Sequence, residues 1–162
     1  MERKTKMVDN PPDMGYMLRM SRTFQAPRQR VFDVWTRPEH LSRWWGVQQD
    51  YTAAIVEIDL RVGGRYRLGM KAPDDTLHVV VGEFREVVPP EKLVYTWSWE
   101  QGMPDTTDMR ETLVTIEFID KGDSTEMVLT HELFPTEEAR DQHDQGWKMM
   151  MENTFGPAVE GN

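Results

Sequence analysis

Residues 134–147 read FPTEEARDQHDQGW, and the fold turns on them. A helix begins after Pro135. The Thr136 hydroxyl can cap its first free N–H groups, and Glu137 and Glu138 suit the positive end of the helix dipole. Ala139, His143, Gly146, Trp147, Met150 and Thr154 then recur at three- and four-residue spacing, so they share one face. The spacing predicts a helix to about Asn153 or Phe155, where Gly156-Pro157 stops it. A stripe carrying tryptophan and histidine needs a surface to lie on. Gly146 within it lets a backbone or a ligand approach closely, at a helix cost of ~1 kcal/mol relative to alanine.

That surface has to come from upstream. Residues 52–59, 64–71, 76–87, 92–99, 111–119 and 125–131 are rich in Val, Ile, Tyr, Trp and Thr and read as successive strands. Gly63-Gly64, Pro73-Asp74-Asp75, Pro89-Pro90, Gly102 to Asp105 and Lys121-Gly122-Asp123 separate them as turns. Such short spacings favour antiparallel neighbours, because parallel pairs need long crossovers. An earlier strand runs from Tyr16 to Phe24. Pro27 then opens a helix with an apolar side of Val31, Phe32, Val34 and Trp35. A second short helix follows, with Thr36 and Glu39 as a capping box, Pro38 at its start, and Gly46 as a left-handed stop after Trp45. Strand, two helices, six strands and one long helix describe an α+β chain, with a curved antiparallel sheet wrapped around the C-terminal helix.

The 162 residues suit a single domain over 16–155, with a polar arm at 1–15 and a tail at 156–162. Charged residues make up 29% and the net charge is −9, which fits a globular chain and opposes binding to nucleic acid or anionic lipid. There is no cysteine, so disulfides, thiolate nucleophiles and cysteine-bound metals are excluded. The first residues carry no apolar run resembling a signal peptide, and no segment approaches the ~18 apolar residues of a membrane span. A cytoplasmic location fits these features.

Four strings in order, FQAPRQRVFDVWTRPEHLSRWWG (24–46), IDLRVGGRYRL (58–68), REVVPPEKLVYTW (85–97) and FPTEEARDQHDQGW (134–147), resemble the START-like, or SRPBCC, superfamily. The resemblance is strongest to its bacterial branch named for the activator of the 90-kDa heat-shock-protein ATPase. It implies a helix-grip fold with a cavity between sheet and helix that takes apolar ligands in many relatives. Others are polyketide cyclases, and the eukaryotic namesake carries the domain within a co-chaperone. Relatives usually extend the last helix with leucine-rich sequence. Here MMMENTF is followed by GPAVEGN, which implies a cavity more open, or more deformable, at that end. The acidic segment 100–111 is a candidate entrance flap.

Several side chains are candidates for the ligand site. Trp44 and Trp45 are adjacent on a short helix and point about 100° apart, so one narrow stripe cannot take both. Either both are packing elements, or one packs under the sheet and the other borders the cavity. Tyr95, Trp97 and Trp99 alternate on one strand face, and Tyr66, Leu68 and Met70 on another. A concave placement makes Tyr66, Leu68, Tyr95 and Trp97 a ligand wall; a convex one sets them under the small helices. Trp147 and Met150 join from the helix stripe. His131 ends a strand and His143 lies on the stripe, so the two can meet across the cavity as polar anchors, as a general acid/base pair, or as hydrogen-bonded packing. His40 and His78 have weaker claims. No metal-ligand spacing, serine-nucleophile motif, phosphate loop or other cofactor signature is present, and Asp59, Arg61 and Arg65 suggest at most a solvated ion pair.

Three functions are therefore open. The first is a non-enzymatic module that binds a small apolar or aromatic molecule, with His131, His143 or Tyr95 orienting it. The second is a cyclase, dehydratase or hydrolase working through a cavity histidine or carboxylate. The third is a chaperone-interacting module. A homodimer seeded by a rim tryptophan is compatible with each.

Overall fold

The computed structural model describes residues 15–101 and 111–161. All but the last residue of the arm at 1–15, and all but the ends of the candidate flap, lie outside the described residues. Seven strands form one sheet: β1 (Tyr16–Phe24), β2 (Thr52–Ile58), β3 (Arg65–Lys71), β4 (Leu77–Val88), β5 (Lys92–Gln101), β6 (Thr112–Asp120) and β7 (Thr125–Phe134). Their order is β1-β7-β6-β5-β4-β3-β2, every pair antiparallel, and β1 and β2 are left as edges of an open, curved sheet. Register shifts at Tyr16/Leu18, Ala53/Ile55, Val79/Val80 and Phe84/Glu86 supply bulges that bend the strands. Gly82 serves the same curvature: a Cβ there would stand 2.0 Å from the Thr96 carbonyl oxygen and 2.6 Å from the Tyr66 ring.

Two short helices, α1 (Arg28–Thr36) and α2 (Pro38–Trp44), close one end of the sheet. The long helix α3 (Glu137–Met150) crosses the concave face, with Thr136 Oγ1 accepting the Ala139 N–H at 3.0 Å as the cap. This is the helix-grip arrangement. No helix among the described residues is long and apolar enough to cross a membrane.

Three local expectations are corrected. Thr36 does not cap α2; its hydroxyl donates back to the Phe32 carbonyl at 2.8 Å, and Arg37 is the residue at the cap. Gly46 is not among the positive-φ glycines. It is small because a Cβ would meet that of Tyr51 at 2.8 Å, and its carbonyl accepts the Thr154 hydroxyl at 2.7 Å. The last helix does not stop at Gly156-Pro157. One π turn (Met151–Phe155) leads into α4 (Gly156–Glu160) with right-handed helical backbone throughout.

The π turn explains how a proline is accommodated. Pro157 cannot donate to the Asn153 carbonyl four residues back, and its ring would crowd that oxygen in a regular helix. Widening by one residue relieves the crowding, with the Gly156 N–H reaching Met151 O, and the freed Asn153 carbonyl accepts the Gln49 side-chain amide. Residues read as a tail thus continue the helix and bury Val159, while Arg30 Nη2 donates to the Ala158 carbonyl at 3.0 Å. The C-terminal end of the sheet–helix interface is therefore covered rather than opened.

Candidate functional site

The concave face is paved with aromatics because β5 alternates Tyr95, Trp97 and Trp99 inward and β3 alternates Tyr66, Leu68 and Met70. Between this face, α3 and the segment after α2 lies a cavity of about 170 Å³. Trp97 and Trp99 of the sheet, Trp147 and Met150 of α3, and Trp45 form its apolar walls. Tyr51, His78 and Gln142 supply the polar groups at its border, and Gly146 leaves one side low, since a Cβ there would meet nothing within 4 Å.

Eight of the ten expected ligand residues divide in two, with Trp44 and His131 in neither group. Trp45, Trp97, His143, Trp147 and Met150 line this cavity. Tyr66, Leu68 and Tyr95 instead surround, with Trp45 and Trp97, a void of about 20 Å³ under α1 and α2, room for one water at most. Burial pushes both tyrosine hydroxyls well above their ordinary pKa, and Tyr66 donates its proton to the Thr96 carbonyl at 2.5 Å. This end of the concave face is filled by its own side chains.

Trp44 and Trp45 are 5% and 3% exposed, and they part company as their 100° offset requires. The Trp44 indole donates to the Val34 carbonyl at 2.8 Å and packs on Trp35 and Phe155. Trp45 turns the other way and contributes to both hollows. Val47, Tyr51 and Gln142 are wall residues that no periodicity in the sequence singles out. Met70, Trp99 and Gly146 stand on faces the periodicity does identify.

His131 and His143 do meet, with ring centroids 5.3 Å apart. Their partners fix their protons by elimination. An indole N–H only donates and a carbonyl only accepts. Trp99 Nε1 donates to His143 Nε2 at 2.9 Å, so His143 carries its proton on Nδ1 and donates to the Ala139 carbonyl at 2.8 Å. Trp147 Nε1 donates to His131 Nδ1 at 3.0 Å. The Thr112 hydroxyl donates to the Trp97 carbonyl at 3.0 Å and therefore accepts from His131 Nε2–H at 2.7 Å. Each imidazole is neutral with both nitrogens occupied. Burial lowers the pKa of both, that of His131 well below the usual histidine range, with His143 adding repulsion. His131 lies behind Trp147 and Phe134 and lines neither hollow.

Asp59 and Arg61 pair at 2.8 Å in the exposed turn before β3, far from these groups in role. Among the described residues no cluster of three histidines or carboxylates could hold a metal.

The family described as "Activator of Hsp90 ATPase homolog 1-like protein" matches residues 25–155. No curated protein matches the sequence significantly. Among solved structures, one from Chromobacterium violaceum is similar with a TM-score of 0.77 and 23% identity, over 90% of this chain and 99% of that one. An uncharacterised protein from Rhizobium leguminosarum is similar with a TM-score of 0.75 and 25% identity, over 91% and 95%. An AHSA1-like protein from Aeromonas hydrophila is similar with a TM-score of 0.70 and 23% identity, over 89% and 93%. With the match spanning both short helices, strands β2 to β7 and α3, this chain belongs to the family of activator of Hsp90 ATPase homolog 1-like proteins.

Proposed function

We propose that this protein binds one small, uncharged, apolar or aromatic molecule in the cavity between sheet and α3, and does not transform it. The cavity itself carries the reading: about 170 Å³ walled by Trp45, Trp97, Trp99, Trp147 and Met150. An apolar cavity of ~150 Å³ is enough to hold benzene. The occupant is therefore of one- or two-ring size rather than a long lipid. Among the described residues no Lys, Arg, Asp or Glu lines the cavity, so an ionised ligand would lose its hydration without compensation from them.

Binding is favoured over catalysis by the state of the histidines. A general acid or base needs a nitrogen free to exchange a proton with a substrate. Both nitrogens of both rings are already occupied. The energy available is modest: a buried aromatic ring removes roughly 150–250 Å² from water, or about 4–6 kcal/mol before association costs. With no association cost subtracted, that sets a ceiling on affinity, dissociation constants of about 40 µM to 1 mM.

Titration of indole and naphthalene, followed by tryptophan fluorescence and by thermal melting, tests the proposal. Saturable binding that is lost on filling the cavity with Gly146→Trp is expected. Melting curves unmoved by any ring-sized probe would remove it.

A further inference from the structure

Every buried N–H should find an acceptor, and the exception in this fold stands on the cavity wall. Trp97 Nε1 is buried without a hydrogen-bond partner, and among the described residues it is the only such side-chain nitrogen or oxygen. The contrast with its neighbours is specific. Trp44 donates to a carbonyl, Trp99 to His143 and Trp147 to His131. Trp97 is packed against the last two and against Trp45, yet it keeps its donor. A buried donor left open forfeits ~1–3 kcal/mol, a cost that persists in a folded protein only where something offsets it.

Trp97 borders two hollows, the cavity of about 170 Å³ and the void of about 20 Å³. Among the described residues no protein group supplies an acceptor for Nε1, and these hollows are where a bound one could stand. We infer that the cavity ligand is a neutral aromatic compound bearing a carbonyl or equivalent acceptor oxygen, and that this oxygen takes the Trp97 Nε1–H. The inference rests on the proposed ligand-binding function and adds the chemical class and the orienting residue. The rings of Trp45, Trp99 and Trp147 hold the aromatic body, and the oxygen end points at Trp97.

Acetophenone and α-methylstyrene test this, because they share a shape and differ in C=O against C=CH2. Their affinities are measured on the wild type and on Trp97→Phe, which keeps an apolar ring and removes the donor. Comparing the two ratios cancels the unequal hydration of the two probes and any general loosening of the site. We expect Trp97→Phe to shift the ratio against the ketone about tenfold, as loss of one net hydrogen bond implies. Should that variant fail to fold, the wild type still decides. In an ¹⁵N-resolved spectrum the Trp97 indole proton, assigned through its contacts, should move downfield with the ketone and stay with the hydrocarbon.

If the hydrocarbon binds and neither the ratio nor the resonance responds to the carbonyl, the inference is overturned while the binding function stands. If neither probe binds, both are overturned. A crystal structure of the ketone complex with a water on Nε1 in the small void, and the carbonyl elsewhere, also overturns the inference.

Discussion

Two indole–imidazole hydrogen bonds hold the inner end of α3 against the sheet: Trp147 to His131, and Trp99 to His143. Replacing His131 by Phe keeps a ring in a fully buried position but leaves Trp147 Nε1–H without an acceptor and Thr112 without its donor. The expected loss is about 2–4 kcal/mol in urea unfolding. His143→Phe strands one indole beside a cavity that can admit water, and should cost less. The pH dependence follows from the same contacts. Both folded-state pKa values lie below the unfolded value of 6.5. Below pH 6.5 the unfolded chain therefore binds more protons than the native one. Stability is full above that pH and falls as the pH drops, approaching a slope of about 1.4 kcal/mol per unit from His131, with His143 adding in the same direction. Unfolding curves between pH 7.5 and 5 check this, and His131→Phe should remove one histidine's share. The meeting of these histidines was legible from strand end and helix stripe. Their proton positions were not, because those depend on indoles and a threonine distant in sequence.

Helix α3 owes its place to its stripe, and the stripe was readable because a 3.6-residue period survives any tertiary context. Gly146 is its weak point. A Cβ there meets nothing within 4 Å, so Gly146→Ala should raise stability by about 0.5–1 kcal/mol, measured by thermal or urea unfolding, with ring-sized ligands still bound. The continuation past Met150 was not legible. Gly-Pro normally ends a helix, and here the π turn lets it continue, with the Gln49 amide, more than a hundred residues earlier, on the freed carbonyl. Deleting the exposed Glu152 should convert the π turn to a regular one and press the Pro157 ring against the carbonyl four residues back. The expected cost is about 3 kcal/mol, in line with a proline inside a regular helix. Thr36 and Gly46 teach the same lesson: their local signals were sound, but the Phe32 carbonyl, Tyr51 and Thr154 set what each residue does.

Across the whole molecule, antiparallel neighbouring strands and the helix they wrap followed from alternation, turn spacing and the helix stripe, while the pairing of β1 with β7 and the division of the concave face did not. Tyr66, Leu68 and Tyr95 have the same inward alternation as Trp97 and Trp99. Only the position of α1 and α2 over one end decides that the first group is packed solid and the second borders a cavity. A ligand in that cavity stabilises the native state alone. At a hundred times its dissociation constant, a ring-sized ligand should add about 2.7 kcal/mol, or roughly 5–10 °C in melting temperature. Scanning calorimetry across a concentration series checks both the size and the logarithmic growth of the shift. The gathering of all six tryptophans has an optical result as well. Centroid distances of 5.4, 5.5, 6.3, 4.9 and 5.9 Å join Trp35, Trp44, Trp45, Trp97 and Trp147 into a closed loop, with Trp99 attached at 5.5 Å. Excitation absorbed by one indole therefore migrates among them before emission. Polarisation of the intrinsic fluorescence is scrambled even in a rigid, slowly tumbling particle, and recovers only when the lowest-energy chromophore is excited selectively at the red edge.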